Sequence, residues 1–104
     1  MTLAAPAQVQ PGVTLQGDIL ALNGPMTLAY ARGLEIAGAE TLQGGAVIVD
    51  LAAASEIDSS ALAVLFSWQR IQLERAGSLS VRAAPEALLS LAKVYGVDDQ
   101  LVWA

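Results

Sequence analysis

The chain has 104 residues, of which 55% are hydrophobic and 14% are charged, and its formal net charge is −5. A chain of this length fits one domain with one core, and so apolar a composition argues against disorder. Its few basic residues form no cluster, which argues against nucleic acid or anionic lipid surfaces as partners, because phosphate contacts need grouped Lys and Arg.

The sequence contains no cysteine and no histidine. This excludes disulfides, a cysteine nucleophile, a histidine base and any metal site built from those residues. Residues 1–12 place no Lys or Arg ahead of an apolar segment, unlike a signal peptide, and the longest apolar run, Ala61–Phe66, is too short to span a membrane. We therefore expect a cytoplasmic protein.

A hairpin is predicted at the start of the domain. Residues 1–12 show no periodicity and are interpreted as a loose lead-in, so a single domain is expected at residues 13–104. Val13–Gln16 and Ile19–Leu22 are short extended runs, and the Gly17-Asp18 pair between them is typical of a tight turn.

The first helix is predicted from Met26 to about Leu42. Asn23-Gly24-Pro25 indicates a break before it, and a proline suits the first helical position because its missing N–H would be unpaired there anyway. Gly44-Gly45 ends the helix. One face carries residues at helical spacing, namely Tyr30, Leu34, Ala37 and Thr41.

The central strand is predicted at Ala46–Leu51, on the β-branched run Val47–Val49. A strand that is apolar on both faces is expected to be covered on both sides. Residues Ala52–Asp58 are predicted to form a short loop after it.

The second helix is predicted at Ser59–Ala76, with Asp58 or Ser59 capping its free N–H groups. Its apolar arc is wider than packing on one sheet requires. Either the helix lies between the sheet and a neighbouring helix, or part of the arc around Trp68 contacts another protein.

The remaining elements follow from simple periodicity. Leu79, Val81 and Ala83 alternate with polar residues as in a strand, and Pro85 begins a helix that Gly96 is expected to cap. This helix carries the apolar stripe Leu88, Leu91, Ala92 and Tyr95. The end of the chain, Leu101-Val-Trp103, is a final short strand or a docked tail. The predicted order is β-β-α-β-α-β-α, with parallel pairs across the helices and a mixed sheet.

The candidate site is Asp58-Ser59-Ser60 at the start of the second helix. A helix N-terminus tolerates an added phosphate, so a serine here is a candidate for phosphorylation, and capping is the structural alternative. Glu56 and Asp58 could be interpreted as a catalytic pair or a cation site, but they stand without a base, a nucleophile or further ligands. We therefore expect no enzyme activity, no cofactor and no metal.

The segments Val47-Ile-Val-Asp-Leu51 and Glu56-Ile-Asp-Ser-Ser-Ala-Leu62 resemble STAS domains, the fold of anti-sigma-factor antagonists and of the cytoplasmic tails of sulfate transporters. The resemblance implies an α/β fold with a mixed β-sheet covered by helices. In antagonists this loop typically reads Asp-Ser-Ser/Thr-Gly-Leu, and a partner kinase phosphorylates a serine in it. Asp58, Ser59 and Ser60 match this pattern, whereas Ala61 stands where glycine is typical.

The run Leu91-Ala-Lys-Val-Tyr-Gly-Val97 is similar to the STAS subunit of the Mla phospholipid-transport ABC system of Gram-negative bacteria. This resemblance implies a non-enzymatic subunit that binds the transporter's ATPase on the cytoplasmic side and does not itself insert into the membrane. The alternative is an anti-sigma factor antagonist that binds an anti-sigma factor kinase. The candidate partner contacts, besides Asp58, Ser59 and Ser60, are Glu56, Ala61, Leu62 and Trp68.

Overall fold

In the computed structural model of the chain, residues 11–104 are described, so most of the predicted lead-in lies outside the described residues. The described part contains five strands and three helices. In chain order they are β1 (Gly12–Gln16), β2 (Ile19–Met26), α1 (Leu28–Thr41), β3 (Ala46–Ile57), α2 (Ser60–Glu74), β4 (Ser78–Arg82), α3 (Glu86–Val94) and β5 (Val102–Trp103). None of these helices is both long and apolar enough to cross a membrane.

The five strands form one sheet in the order β1-β2-β3-β4-β5. β1 and β2 are antiparallel, as the predicted hairpin requires, and every other neighbouring pair is parallel. A helix connects each parallel pair, and every connection steps in the same direction across the sheet. Because such connections are right-handed, the three helices lie on the same face of the sheet.

The central strand β3 is therefore covered on one side only. Val47, Val49 and Leu51 are buried, whereas Ile48 and Asp50, which point the other way, are half-buried. The prediction of a strand covered on both sides is wrong. The sequence Val-Ile-Val is apolar at every position, but one of these side chains belongs to the open face.

One ion pair lies on the open face. Arg82 contacts Asp50 at 2.9 Å, and Asp50 also accepts a hydrogen bond from the Ala52 N–H at 2.9 Å. The Ala52 N–H and then the Arg82 guanidinium lower the pKa of Asp50 below its ordinary value of 3.8. Among residues 11–104 this is the only ion pair.

β2 and β3 both run further than predicted, because their extensions pair with each other. The pairs Asn23–Ala53, Gly24–Ala54 and Met26–Ile57 continue the ladder. Pro25 lies at the register shift between Gly24 and Met26, a position in a sheet that does not need its missing N–H. The predicted break at residues 23–25 and the predicted loop at residues 52–57 are thus strand, and α1 begins later, at Leu28.

Helices α1 and α2 lie side by side and are joined at three levels. At their starts, the Asp58 carboxylate accepts backbone hydrogen bonds from both. In the middle, the Trp68 indole N–H donates to the Leu34 carbonyl at 3.0 Å. At their ends, the Arg75 guanidinium donates to the carbonyls of Leu42 and Ala39. Trp68 is fully buried, so the second helix does lie between the sheet and a neighbouring helix.

Gln72 is the one buried polar residue of the described core. Its side-chain oxygen accepts from the Gly44 N–H at 2.9 Å. Its amide nitrogen donates to the carbonyls of Gly44, Gly45 and Ser78, at 3.2, 3.0 and 3.0 Å. One side chain thus satisfies the backbone of both the α1–β3 and α2–β4 connections, as a buried polar group requires.

The C-terminal elements follow the prediction closely. Gly96, with φ +69°, caps α3, and the Val97 N–H donates to the Ala92 carbonyl at 2.9 Å. The last residues form the short strand β5 beside β4. Tyr95 differs from the prediction: it lies past the end of α3 and is 59% exposed, so it does not belong to the buried stripe.

Candidate protein-interaction site

Asp58 organises the candidate site. Its Oδ1 accepts the Ser60 N–H at 2.8 Å, and its Oδ2 accepts the Leu28 N–H at 3.0 Å. Ser60 begins α2 and Leu28 begins α1, so one carboxylate serves the first turns of two helices. Both helix N-termini carry partial positive charge, which favours a carboxylate between them.

The electrostatics of Asp58 reflect opposing effects. Burial raises the pKa of its carboxyl, but the N–H groups of Leu28 and Ser60 and the Ser60 hydroxyl, which bond the charged form, together outweigh burial. The pKa of Asp58 is consequently lowered from 3.8, and the side chain is ionised at neutral pH. Asp58 is therefore the capping residue, and Ser59 is not.

The two serines differ in their surroundings. Ser59 is exposed and, although it stands at the N-cap position of α2, its side chain makes no capping hydrogen bond. Ser60 is half-buried and its hydroxyl bonds Asp58. The geometry thus leaves the Ser59 hydroxyl free to meet another molecule, whereas the Ser60 hydroxyl is already used within the loop.

An apolar groove runs beside Ser59. It has a volume of about 320 Å³, and we name it the docking groove; its lining residues are Ser59, Leu62, Phe66, Tyr95 and Val97. Two further apolar side chains near it are exposed: Val94, which precedes Tyr95 in the chain, is 79% exposed, and Leu28, whose N–H bonds Asp58, is 77% exposed. Apolar surface concentrated in this way is typical of a contact with another protein.

The predicted partner contacts fall into two groups. Leu62 lines the docking groove, and Glu56 is exposed near the end of β3. Ala61 and Trp68 have no exposed surface at all, so the predicted contacts through these two residues are wrong. Trp68 points towards α1 and into the core, because helix α2 is covered on that side.

Three residues beside this site were missed from the sequence, namely the exposed Leu28 and Tyr95 and the half-buried Val97. Tyr95 precedes the capping Gly96, and a large side chain at a helix end is well placed to be uncovered. No local signal marks Leu28, because its position beside Ser60 depends on the contact of both residues with Asp58.

The candidate site therefore consists of the docking groove and the free hydroxyl of Ser59. Within the described part of the chain, no three acidic residues lie close enough together to hold a metal ion. The fold is that of a small α/β domain whose candidate site is an open surface beside a helix start.

Residues 9–103 match the family model described as "Mlab, STAS domain". The chain therefore belongs to the STAS domain family, and the α/β fold with the order β-β-α-β-α-β-α is confirmed. None of the curated proteins compared with the chain matches it.

Solved structures show the same fold. An anti-sigma factor antagonist from Mycobacterium paratuberculosis matches with a TM-score of 0.73 and 21% identity, covering 97% of this chain and 89% of that one. A sulfate transporter family protein from Wolinella succinogenes matches with a TM-score of 0.64 and 18% identity, covering 97% and 80%. The Bacillus cell fate determinant SpoIIAA, in its phosphorylated form, matches with a TM-score of 0.63 and 11% identity, covering 90% of each. At such identities the likeness is one of fold.

Proposed function

We propose that this protein is a non-enzymatic subunit of a phospholipid-transport ABC system, which binds the ATPase subunit on the cytoplasmic side and supports its assembly and activity. The observation that carries the proposal is the match of residues 9–103 to a family model whose description names Mlab. The ATPase would contact the surface formed by Ser59 and the docking groove.

The surface around Ser59 supports a lasting contact. Leu28, Val94 and Tyr95 are 77%, 79% and 59% exposed; Tyr95 lines the docking groove, and Leu28 donates its N–H to Asp58 beside Ser59. Removing apolar area of this kind from water contributes roughly 25 cal/mol per Å² to association, before the cost of the freedom lost on binding is subtracted. A permanent subunit can leave such residues uncovered in isolation, because its partner covers them in the complex.

Copurification from the native host tests this proposal. The tagged chain should bring down an ABC ATPase and a permease after mild lysis, and Ser59→Arg should abolish their recovery by placing a large side chain at the docking groove. Ile36→Ser is the matched control, because Ile36 is 49% exposed on α1 about two turns from its start. Recovery of the chain alone under mild conditions would contradict the proposal.

A second candidate function is an anti-sigma factor antagonist switched by serine phosphorylation. It is favoured by the free, exposed Ser59 hydroxyl at a helix start and by the likeness to SpoIIAA in its phosphorylated form. This function predicts singly phosphorylated protein in cells, with the phosphate lost in Ser59→Ala and kept in Ser60→Ala. Intact-mass spectrometry across growth conditions decides, and a chain that never carries phosphate supports the transporter subunit instead.

A further inference from the structure

The walls of the docking groove determine what kind of element can occupy it. Leu62 and Phe66 come from the first turns of α2, and Tyr95 and Val97 come from the end of α3 and the residues after it. Inside a helix, the backbone N–H and C=O groups already form hydrogen bonds with one another. The helical walls of the groove therefore present side chains to a partner and cannot pair with an added strand. The groove therefore suits the apolar face of a helix more than an added strand.

Three acidic residues are close in the chain to lining residues of the docking groove, and we name them the rim. Asp98 and Asp99 directly follow Val97, and Glu56 precedes Ser59 by three residues; all three acidic side chains are exposed. The only ion pair within residues 11–104 joins Arg82 and Asp50, so none of these three carboxylates is paired with a basic side chain of that region.

Two basic residues belong to the helices that form the groove. Lys93 lies on α3 two residues before Tyr95, about 200° around the helix. Arg70 lies one turn beyond Phe66 on the same side of α2, so it is beside the groove at the end away from Ser59. The carboxylates of the rim are thus left to complement the charge of a partner.

We infer that the docking groove receives an amphipathic helix of the partner protein, whose Lys or Arg residues flank the apolar side chains that enter the groove. The inference rests on the proposed function and adds the chemistry of the partner's contact. A second copy of this chain fits less well, because two copies meeting here would bring the same carboxylates together.

Photo-crosslinking in the host tests the inference on the full chain. Tyr95 is replaced by p-benzoylphenylalanine, which its 59% exposure should tolerate, and Ile36 receives the same replacement as a control. We expect position 95, and not position 36, to crosslink to one peptide with apolar residues at helical spacing and at least two Lys or Arg beside them. A peptide without basic residues, a peptide of this same chain, or no crosslink would overturn the inference.

A charge-removal series gives a second readout. Asp98→Asn with Asp99→Asn should weaken binding to the captured partner by roughly 5- to 20-fold at low salt and flatten its salt dependence. Asp18→Asn with Glu40→Gln removes two exposed carboxylates outside the groove and should leave binding unchanged. Equal effects of the two double variants would overturn the inference.

The outcomes separate the inference from the proposed function. If the crosslinked basic helix belongs to a protein other than an ABC ATPase, the inference stands and the proposed function fails. If the ATPase copurifies but never crosslinks from position 95, the proposed function stands and the inference fails.

Discussion

Asp58 and Ser59 have different roles at the start of α2. Asp58 is held by backbone N–H groups from two helices, whereas Ser59 makes no capping bond and is exposed. The sequence motif alone could not separate these roles, because both residue types cap helices well. The acid maintains the local geometry and leaves the neighbouring hydroxyl available.

Replacing Asp58 should destabilise the protein and change its response to acid. The pKa of Asp58 is lowered in the folded protein, so its stabilisation is fully present above the ordinary value of 3.8 and is lost as the pH falls through the folded value. Asp58→Asn should lower the free energy of unfolding by about 1 kcal/mol near neutral pH. Between about pH 6 and about pH 3, the free energy of unfolding should fall less in this variant than in the wild type. Urea unfolding at both pH values measures this.

Glu56→Gln provides the control for Asp58, because it removes an exposed carboxylate two residues away. It should leave both the stability and its pH dependence close to those of the wild type. If Asp58→Asn retained the full acid sensitivity, the assigned role of Asp58 would be wrong.

Gln72 offers a second test at the level of one side chain. Gln72→Leu puts an apolar side chain of similar length in the same place and removes the amide from the Gly44 N–H and from the carbonyls of Gly44 and Ser78, whereas the Gly45 carbonyl keeps the Ser78 N–H. We expect a loss of about 2–4 kcal/mol in the free energy of unfolding, since each buried unpaired group costs about 1–3 kcal/mol.

Gln69→Leu is the matched variant on the same helix. Gln69 donates to the Gln100 carbonyl at an exposed position, where water can replace it. Gln69→Leu should therefore lower the free energy of unfolding by less than about 1 kcal/mol. Similar losses in the two variants, measured by urea unfolding, would contradict the role given to Gln72.

At the scale of elements, the contact of α1 with α2 depends on a glycine. A Cβ added at Gly38 would lie 1.9 Å from the Trp68 Nε1, whereas one added at Gly33 would meet nothing within 4 Å. Both glycines belong to α1. They look alike in the sequence, where each only weakens a helix, but the structure makes one indispensable.

Gly38→Ala and Gly33→Ala should therefore change stability in opposite directions. Gly38→Ala must displace the buried indole and should lower the melting temperature, with a cost of about 3 kcal/mol. Gly33→Ala relieves the helix of a glycine and should stabilise the protein by about 0.5–1 kcal/mol. Differential scanning calorimetry of both variants measures the two melting temperatures. A wild-type melting temperature for Gly38→Ala would contradict this packing.

The helices and the hairpin were predictable because their signals are local. Val13–Gln16, the cap at Gly96 and the stripe of α3 all follow from neighbouring residues. The extensions of β2 and β3 were missed because residues 23–26 and 52–57 become strand only by pairing with each other. Alanine and glutamate are depleted in strands, and Asn-Gly-Pro resembles a turn, so neither segment predicts its structure in isolation.

The candidate site was predictable in part for a similar reason. The helix start at residues 58–60 has a local signature, whereas the docking groove joins Leu62 to Tyr95 and Val97 across two helices. The sequence leaves open whether Trp68 packs inside or contacts another protein, because a helical wheel shows which residues share a side but not which side faces the core. The structure settles this with the hydrogen bond from Trp68 to Leu34.

The whole molecule is two layers, with helices on one face of the sheet and no described element on the other. Adjacent residues of β3 therefore have different environments, since Val49 has no exposed surface and Ile48 is only half-buried. Val49→Thr should cost about 1–3 kcal/mol by burying a hydroxyl, and Ile48→Thr less than about 1 kcal/mol. Denaturant midpoints of the two variants measure the difference, and equal losses would indicate a covered outer face.

The three sets of hydrogen bonds between α1 and α2 determine which parts of the protein unfold together. Neither helix can unwind completely without losing the bonds made by Asp58, Trp68 and Arg75, so the two should form one cooperative unit. Their amide protons should exchange with solvent at a shared slow rate. Those of α3, which has 9 residues against the 14 of α1 and the 15 of α2, should exchange sooner. If native-state hydrogen exchange showed α1 opening far ahead of α2, the two helices would not be one cooperative unit. A partner bound at Ser59 should therefore slow amide exchange as far away as the end of α1.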